Sequence, residues 1–418
     1  MNNNYLKFKV MKKYLLGAML VGVAFTGCVN DVETELPVKD NLKPITFEVA
    51  KYKASSRDGE SAQNEHNNLE GTTDYSTQNR FGVFAWTTEP PTTPAASDGT
   101  GATADGGHYS FMDNVQVGYV SSGYWAALAQ VYYWPASENN HIDFFAYSPY
   151  AASPTGEETQ NSCIPVLPPQ KKHNEFKYNN YVVQEGVDLM FSDKANLQNG
   201  NVQYGHYSGV PILFRHALAK LNFRVCKTDH YTTEGTTSVE WQVILKELTI
   251  SSIYNKGSET FTTTEATQKG LTEWTDDGND GYWLPTGDMT SKTWTGDVAL
   301  QKMESNQVAA FYGDAHDFYV LPQHFQGQKL TIKYTVASRV KDSNSAFTSL
   351  EEFTKHITFK KIDEDLAATN TTTNVGIGGW KIGKNITYVI QIDPRGDIIH
   401  FAPYEANWDE VNGGLADF

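Results

Sequence analysis

The sequence predicts an all-β protein built as two successive β-sandwiches. Short apolar stretches alternate with polar residues at period two, as in Ile45-Thr-Phe47-Glu-Val49 and Leu221-Asn-Phe223-Arg-Val225, the pattern of strands with one buried face. Glycine and proline, 33 and 16 of 418 residues, punctuate these stretches, and aromatic residues reach 13%. No long stretch places apolar residues at i, i+3, i+4 and i+7, so no helical layer is expected.

The first segment is a targeting signal rather than part of the fold. Lys7, Lys9, Lys12 and Lys13 precede an apolar run, Tyr14 to Phe25, that ends at Thr26-Gly-Cys28. The run falls short of the ~20 residues a spanning helix needs. A small residue before a cysteine at its end resembles a bacterial lipobox. Residues 1–27 are therefore expected to be a lipoprotein signal peptide, whether translation starts at Met1 or Met11. Cys28 is the lipidation site, and residues 28–43 tether the protein to a Gram-negative outer membrane.

Residues 44–57 are expected to be a removable first strand and cleavage loop. Ile45, Phe47 and Val49 point one way, and past Tyr52 small polar residues surround Arg57, leaving Arg57–Asp58 as a protease handle. Asp58 to Asn79 carries no periodicity and reads as a loop. Strands are then expected at Phe81–Trp86, Tyr109–Tyr119, Tyr132–Pro135 and Ile142–Tyr147, with a long insertion at Glu89–Gly107. These make up an N-terminal sandwich over 44–205. A second, over 206–418, would use Phe214–Val225, Trp241–Ile250, Phe318–Pro322, Leu330–Val336, Ile357–Phe359 and Ile386–Ile392. The tail at 396–413 is either its last strand or a donor strand able to fill a neighbour's groove with Ile399, Phe401, Trp408 and Val411.

The net charge of −16 argues against a nucleic-acid partner and against general adhesion to anionic lipid. Cys163 and Cys226 are either a disulfide or two buried thiols. Asp276-Asp-Gly-Asn-Asp-Gly281 looks like a calcium loop, but its twelfth position is Gly287 where a bidentate Glu is required, so it reads as an acidic turn. Gly376-Ile-Gly-Gly-Trp380 reads as a turn before a strand, and His216 as a hydrogen-bonded structural histidine. There is no HExxH, GxSxG or phosphate-cradling loop. No enzyme, catalytic residue, metal or cofactor is expected.

An assembly mechanism does stand out. Removing the first strand of a sandwich exposes a row of unpaired backbone groups and a trench where Ile45, Phe47 and Val49 sat. A strand from another subunit could replace both.

Several motifs, in order, resemble the fimbrillin-like proteins of Bacteroidales-type bacteria. They are the lipobox at Cys28, the Ile45–Lys53 strand with Arg57, Val131-Tyr-Tyr-Trp-Pro135, Ile142-Asp-Phe-Phe-Ala-Tyr-Ser-Pro149, Asp188-Leu-Met190, Phe214-Arg-His-Ala-Leu-Ala-Lys-Leu221 and Gly383-Lys-Asn-Ile-Thr-Tyr388. The resemblance implies two transthyretin-like (Greek-key) sandwiches and export as an outer-membrane lipoprotein. It also implies trimming by an arginine-specific protease and polymerisation by strand exchange into a cell-surface fimbrium. The partners would be other fimbrial subunits, identical or different. Arg57 matches the family's cleavage position by its place behind the first strand. No pattern specifies a host or bacterial ligand. The rival expectation is a monomeric surface lipoprotein that binds glycans through loop aromatics such as Trp86 or Tyr124-Trp125.

Overall fold

The computed structural model describes residues 42–49, 80–88, 108–120, 124–137, 140–153, 163–167, 174–198, 209–228, 231–234, 237–263, 270–276, 278–301, 318–359, 378–394 and 399–407. Every regular element among them is a strand. In the first half these are β1 (Phe47–Val49), β2 (Phe81–Thr87), β3 (Tyr109–Val120), β4 (Tyr124–Ala127), β5 (His141–Ser148), β6 (Glu175–Val182), β7 (Met190–Ser192), β8 (Lys194–Gln198), β9 (Val210–Ile212) and β10 (Phe214–His216). There follow β11 (Ala219–Lys227), β12 (Tyr231–Glu234), β13 (Thr237–Tyr254), β14 (Lys256–Thr262), β15 (Gly270–Thr272), β16 (Thr275–Asp276), β17 (Leu284–Pro285) and β18 (Met289–Ala299). The last are β19 (Phe318–Val320), β20 (Gln323–His324), β21 (Lys329–Val340), β22 (Thr348–Thr358), β23 (Gly379–Trp380), β24 (Lys384–Ile392) and β25 (Ile399–Asn407).

The largest sheet runs β10-β7-β5-β2-β3-β4-β1-β9, with β8 on β5 and β15 on β8. Its two ends, β9 and β10, are separated in the chain only by Leu213. The sheet therefore rolls back on itself around one apolar core, which holds Ile45, Phe47, Phe81, Phe144, Trp134 and Ile212. Rolling joins what would have been two open edges.

In the second half, a sheet ordered β19-β11-β24-β25 faces one ordered β12-β13-β21-β22, with β18 also on β13. Leu221, Phe223 and Val225 of β11 and Ile386, Tyr388 and Ile390 of β24 meet Val243, Leu245, Ile332 and Tyr334 of the facing sheet. Alternation in β11 and β21 puts these side chains inward and their polar neighbours outward.

The two halves are stitched together. β14 pairs with β6 over Lys256–Thr262, and β15 pairs with β8. Between them lies a third core, mostly aromatic, on the outer face of the first sheet. Phe176 sits at its centre, with ring centroids 4.4 Å from Phe145, 4.8 Å from Phe261 and 4.9 Å from Trp274. Tyr178 stacks on Trp283 at 5.6 Å. Charged pins reinforce the seam. Arg215 donates through Nε and Nη2 to both Asp193 oxygens (2.7 and 3.1 Å), and its Nη1 lies 3.1 Å from Glu273 in the loop after β15.

Several expectations need correction. Tyr132–Pro135 is not a strand; Tyr133 forms one bridge, to Pro44, and Trp134 is buried. Phe214–Val225 breaks in two at Ala217-Leu218, where the chain leaves the first sheet as β10 and enters the second as β11. β13 is 18 residues long rather than ten, because it spans both β12 and β18 on one side. Trp86 and Trp125 are 2% and 6% exposed, so neither offers a ring for a glycan. Cys163 and Cys226 are two buried thiols rather than a disulfide, Cys163 lying in the third core.

Phe176→Ala is expected to lower unfolding stability by about 3–5 kcal/mol, the usual cost of deleting a buried phenylalanine. Because both halves contribute to the seam, urea unfolding of the variant followed by tryptophan fluorescence should still give one transition; two separated transitions would contradict a shared core.

Candidate functional site

The first strand lies in a slot with two hydrogen-bonding walls. β1 runs antiparallel to β4, with Phe47 opposite Trp125, and parallel to β9, with Phe47, Glu48 and Val49 opposite Val210, Pro211 and Ile212. The chain ahead of β1 extends the first wall: Ile45 N–H donates to Tyr132 C=O at 2.8 Å, and Trp134 N–H donates to Lys43 C=O at 2.9 Å. On the other side Val210 N–H donates to Thr46 C=O at 2.8 Å. Backbone groups of odd-numbered residues thus face β4 and those of even-numbered residues face β9.

The floor of the slot is aromatic. Phe47 makes edge-to-face contacts with Phe81 (6.1 Å) and Phe144 (5.9 Å), and Trp134 closes on Phe144 at 5.8 Å. Ile45, Phe47 and Val49 are all buried. Burial stabilises each by roughly 1.5–3 kcal/mol, and each edge-to-face pair adds about 0.5–1.5 kcal/mol. Gly209, just before β9, sets the clearance: a Cβ there would lie 2.8 Å from Thr46 O and 2.9 Å from Thr46 C.

At the other end of the chain, β25 forms the outer strand of its sheet. It pairs antiparallel with β24 from Lys384–Asn407 to Ile392–Ile399. Ile399 and Phe401 belong to this strand; Trp408 and Val411 lie outside the described residues, as do Cys28, Arg57 and Asp58.

The sequence model of the fimbrillin-like family matches residues 70–401. The chain belongs to the fimbrillin-like family. A crystal structure of a fimbrial protein from Bacteroides vulgatus shares its fold at a TM-score of 0.50, with 16% identity over 87% of this chain and 99% of that one. A candidate cell adhesion protein from Parabacteroides distasonis aligns at 14% identity over 90% and 100% of the two chains, with a TM-score of 0.38. Another from Bacteroides uniformis aligns at 17% identity over 79% and 91%, with a TM-score of 0.36. No curated protein matches.

The other candidates in this fimbrillin-like chain resolve as structural. His216 donates through Nδ1 to Asp188 at 2.7 Å and is 4% exposed, pinning the loop before β7 to β10. In the acidic loop, Asp276 accepts the Gly281 N–H at 2.7 Å and Asp280 pairs with Lys381 at 3.0 Å. The amide of Asn279 donates to both Glu259 oxygens. Asp276 and Asp280 are thus engaged within the fold, and no group of three or more metal-binding side chains converges among the described residues. Lys194 and Asp143, 1% and 3% exposed, lie 3.8 Å apart, with Asn196 donating to the same carboxylate at 2.5 Å. Sequence reasoning missed the role of Tyr132–Trp134 as a wall and of Gly209 as a spacer, because both act on a strand more than 80 residues away.

Phe47→Ala should cost about 3–5 kcal/mol of stability by denaturant unfolding. Burial pushes the Cys226 thiol up to about 11 and also raises Cys163. A raised thiol pKa contributes stability below the unfolded value and loses it as pH climbs through the folded one. At about pH 8.5, iodoacetamide should leave Cys226 unmodified in the folded protein and alkylate it in urea, as read by intact mass.

Proposed function

We propose that this chain is a fimbrial subunit, exported to the cell surface as a lipoprotein and polymerised by exchange of strands. The observation that carries the reading is the first strand itself: a short segment, hydrogen-bonded along both flanks and filling an aromatic slot, followed in the sequence by a lone arginine. On this reading Cys28 carries the lipid and an arginine-specific protease cuts between Arg57 and Asp58. The freed strand leaves, and the tail at 396–413 of another subunit takes its place. The outer position of β25, held by one ladder, suits a segment that can be given up. Family membership supports the fimbrial role. The two transthyretin-like sandwiches would centre on the rolled sheet, whose β9, β10 and β15 lie past the expected boundary at 205, and on the facing sheets of the second half. The glycan-binding alternative loses its best residues, since Trp86 and Trp125 are buried.

Treating the lipidated precursor with a trypsin-like protease tests this. The wild-type chain should give a ladder of SDS-resistant multimers and a new N-terminus at Asp58. Arg57→Ala should stay monomeric with unchanged thermal stability, and a chain ending at Pro394 should form no multimers by itself while accepting a wild-type strand, so that in mixing experiments it occupies only one end of each wild-type multimer. Ladders from Arg57→Ala equal to wild type would rule out this cleavage site.

A further inference from the structure

We infer that the slot admits an incoming strand in one direction and one register: Phe401 of a second copy takes the place of Phe47, with Ile399 on Ile45 and Pro403 on Val49. The inference rests on the strand-exchange reading above, but it is decided by the geometry of the slot and the sequence of β25.

The slot accepts large apolar side chains at alternate positions, those of Ile45, Phe47 and Val49. Ile399-His-Phe401-Ala-Pro403 repeats that order, aliphatic, aromatic, then a third apolar residue. Proline decides between placements, because it has no N–H to give a ladder. Ile45 N–H is used by Tyr132, and Phe47 lies opposite Trp125. β4 begins at Tyr124, so the antiparallel register carries it no further than the position opposite Glu48. Val49 is therefore the one apolar position of the slot with no described residue of β4 opposite it. Placing Pro403 there costs no bond to any described residue of that strand.

The alternatives each fail on a named residue. Sliding the incoming strand so that Phe401 falls on Ile45 puts Pro403 opposite Trp125. Sliding it so that Phe401 falls on Val49 puts Asp397 in the apolar site of Ile45, an unpaired buried charge. Reversing the strand around Phe401 puts Pro403 beside the Tyr132 carbonyl, which then lacks its donor.

Gly209 sets the clearance for the incoming strand from the β9 side, whichever register it takes. A Cβ at 209 would press on main-chain atoms, Thr46 O and C and Phe47 C, and not on a side chain that could swing away. The clearance it leaves is for any backbone lying where Thr46–Phe47 lie. In the inferred register that backbone is His400–Phe401, so Gly209 is a positioning residue for the resident and the incoming strand alike.

The test is a cryo-EM reconstruction of the fibres that the cleaved wild-type protein forms, joined to assembly assays on full-length variants. The Phe401 ring of one copy should lie between Phe81 and Phe144 of the next; any other side chain there overturns the register. Phe401→Ala should lower the yield of SDS-resistant multimers roughly tenfold or more, and Tyr404→Ala, of opposite parity, should leave it within about twofold. The reverse ranking would also overturn it. Gly209→Ala should slow assembly roughly tenfold in the accepting copy but leave the same chain able to donate to wild type. A Gly209→Ala chain that accepts at the wild-type rate removes Gly209 from the inference. If cleaved wild type forms no multimers at all, the strand-exchange reading itself falls, and this register with it.

Discussion

Main-chain hydrogen bonding on both flanks of β1 is the constraint on which the first half of the molecule depends. An ordinary edge strand satisfies one neighbour; β1 satisfies two, β4 and β9, which run in opposite directions relative to it. Without an occupant, Val210 N–H and the Tyr132 carbonyl lose their partners together, and Phe81 and Phe144 lose the ring packed against them. Leaving a buried donor or acceptor unsatisfied costs about 1–3 kcal/mol per group. The deficit is therefore polar and apolar at once, and only another extended segment makes up both.

A slot of this kind needs rigid walls, and the aromatic seam supplies the stiffness behind them. The first sheet is covered on its outer face by rings from both halves, with β14 and β15 laid along β6 and β8. Polar side chains at the seam are paired: Arg215 with Asp193, His216 with Asp188, Lys194 with Asp143. Such pairs add little net stability but penalise any slip that would part them. β10, which carries Arg215 and His216, is joined to β9 through Leu213, so these pins also hold the slot's parallel wall.

The two terminal strands are held in different ways. Among the described residues β25 has one long ladder, nine residue pairs along β24. β1 has two shorter ones, plus a buried phenylalanine and two aliphatic side chains. A segment so bound does not leave while its chain is continuous, which is the physical reason a cut behind it would act as the trigger.

Much of this was legible in the residues alone. Period-two alternation marks β1, β11 and β21, because each has one face against a core and the other less buried, whereas β2 and β5, buried on both faces, read as compact apolar runs. The ordered motifs are enough to name the family, and Ile45, Phe47 and Val49 announce a buried strand. What composition and spacing could not show is anything set by partners distant in the chain. β18 alternates between exposed and half-buried positions and so has no apolar rhythm to detect; it is a strand because β13 holds it. Trp86 and Trp125 read as available rings until packing buries them. Tyr132–Trp134 reads as a strand and turns out to be a wall, and nothing local distinguishes Gly209 from any other loop glycine. Alternation is a local signal, readable from neighbours in sequence, whereas direction, register and clearance in the slot are relations between segments that only the folded chain brings within hydrogen-bonding distance.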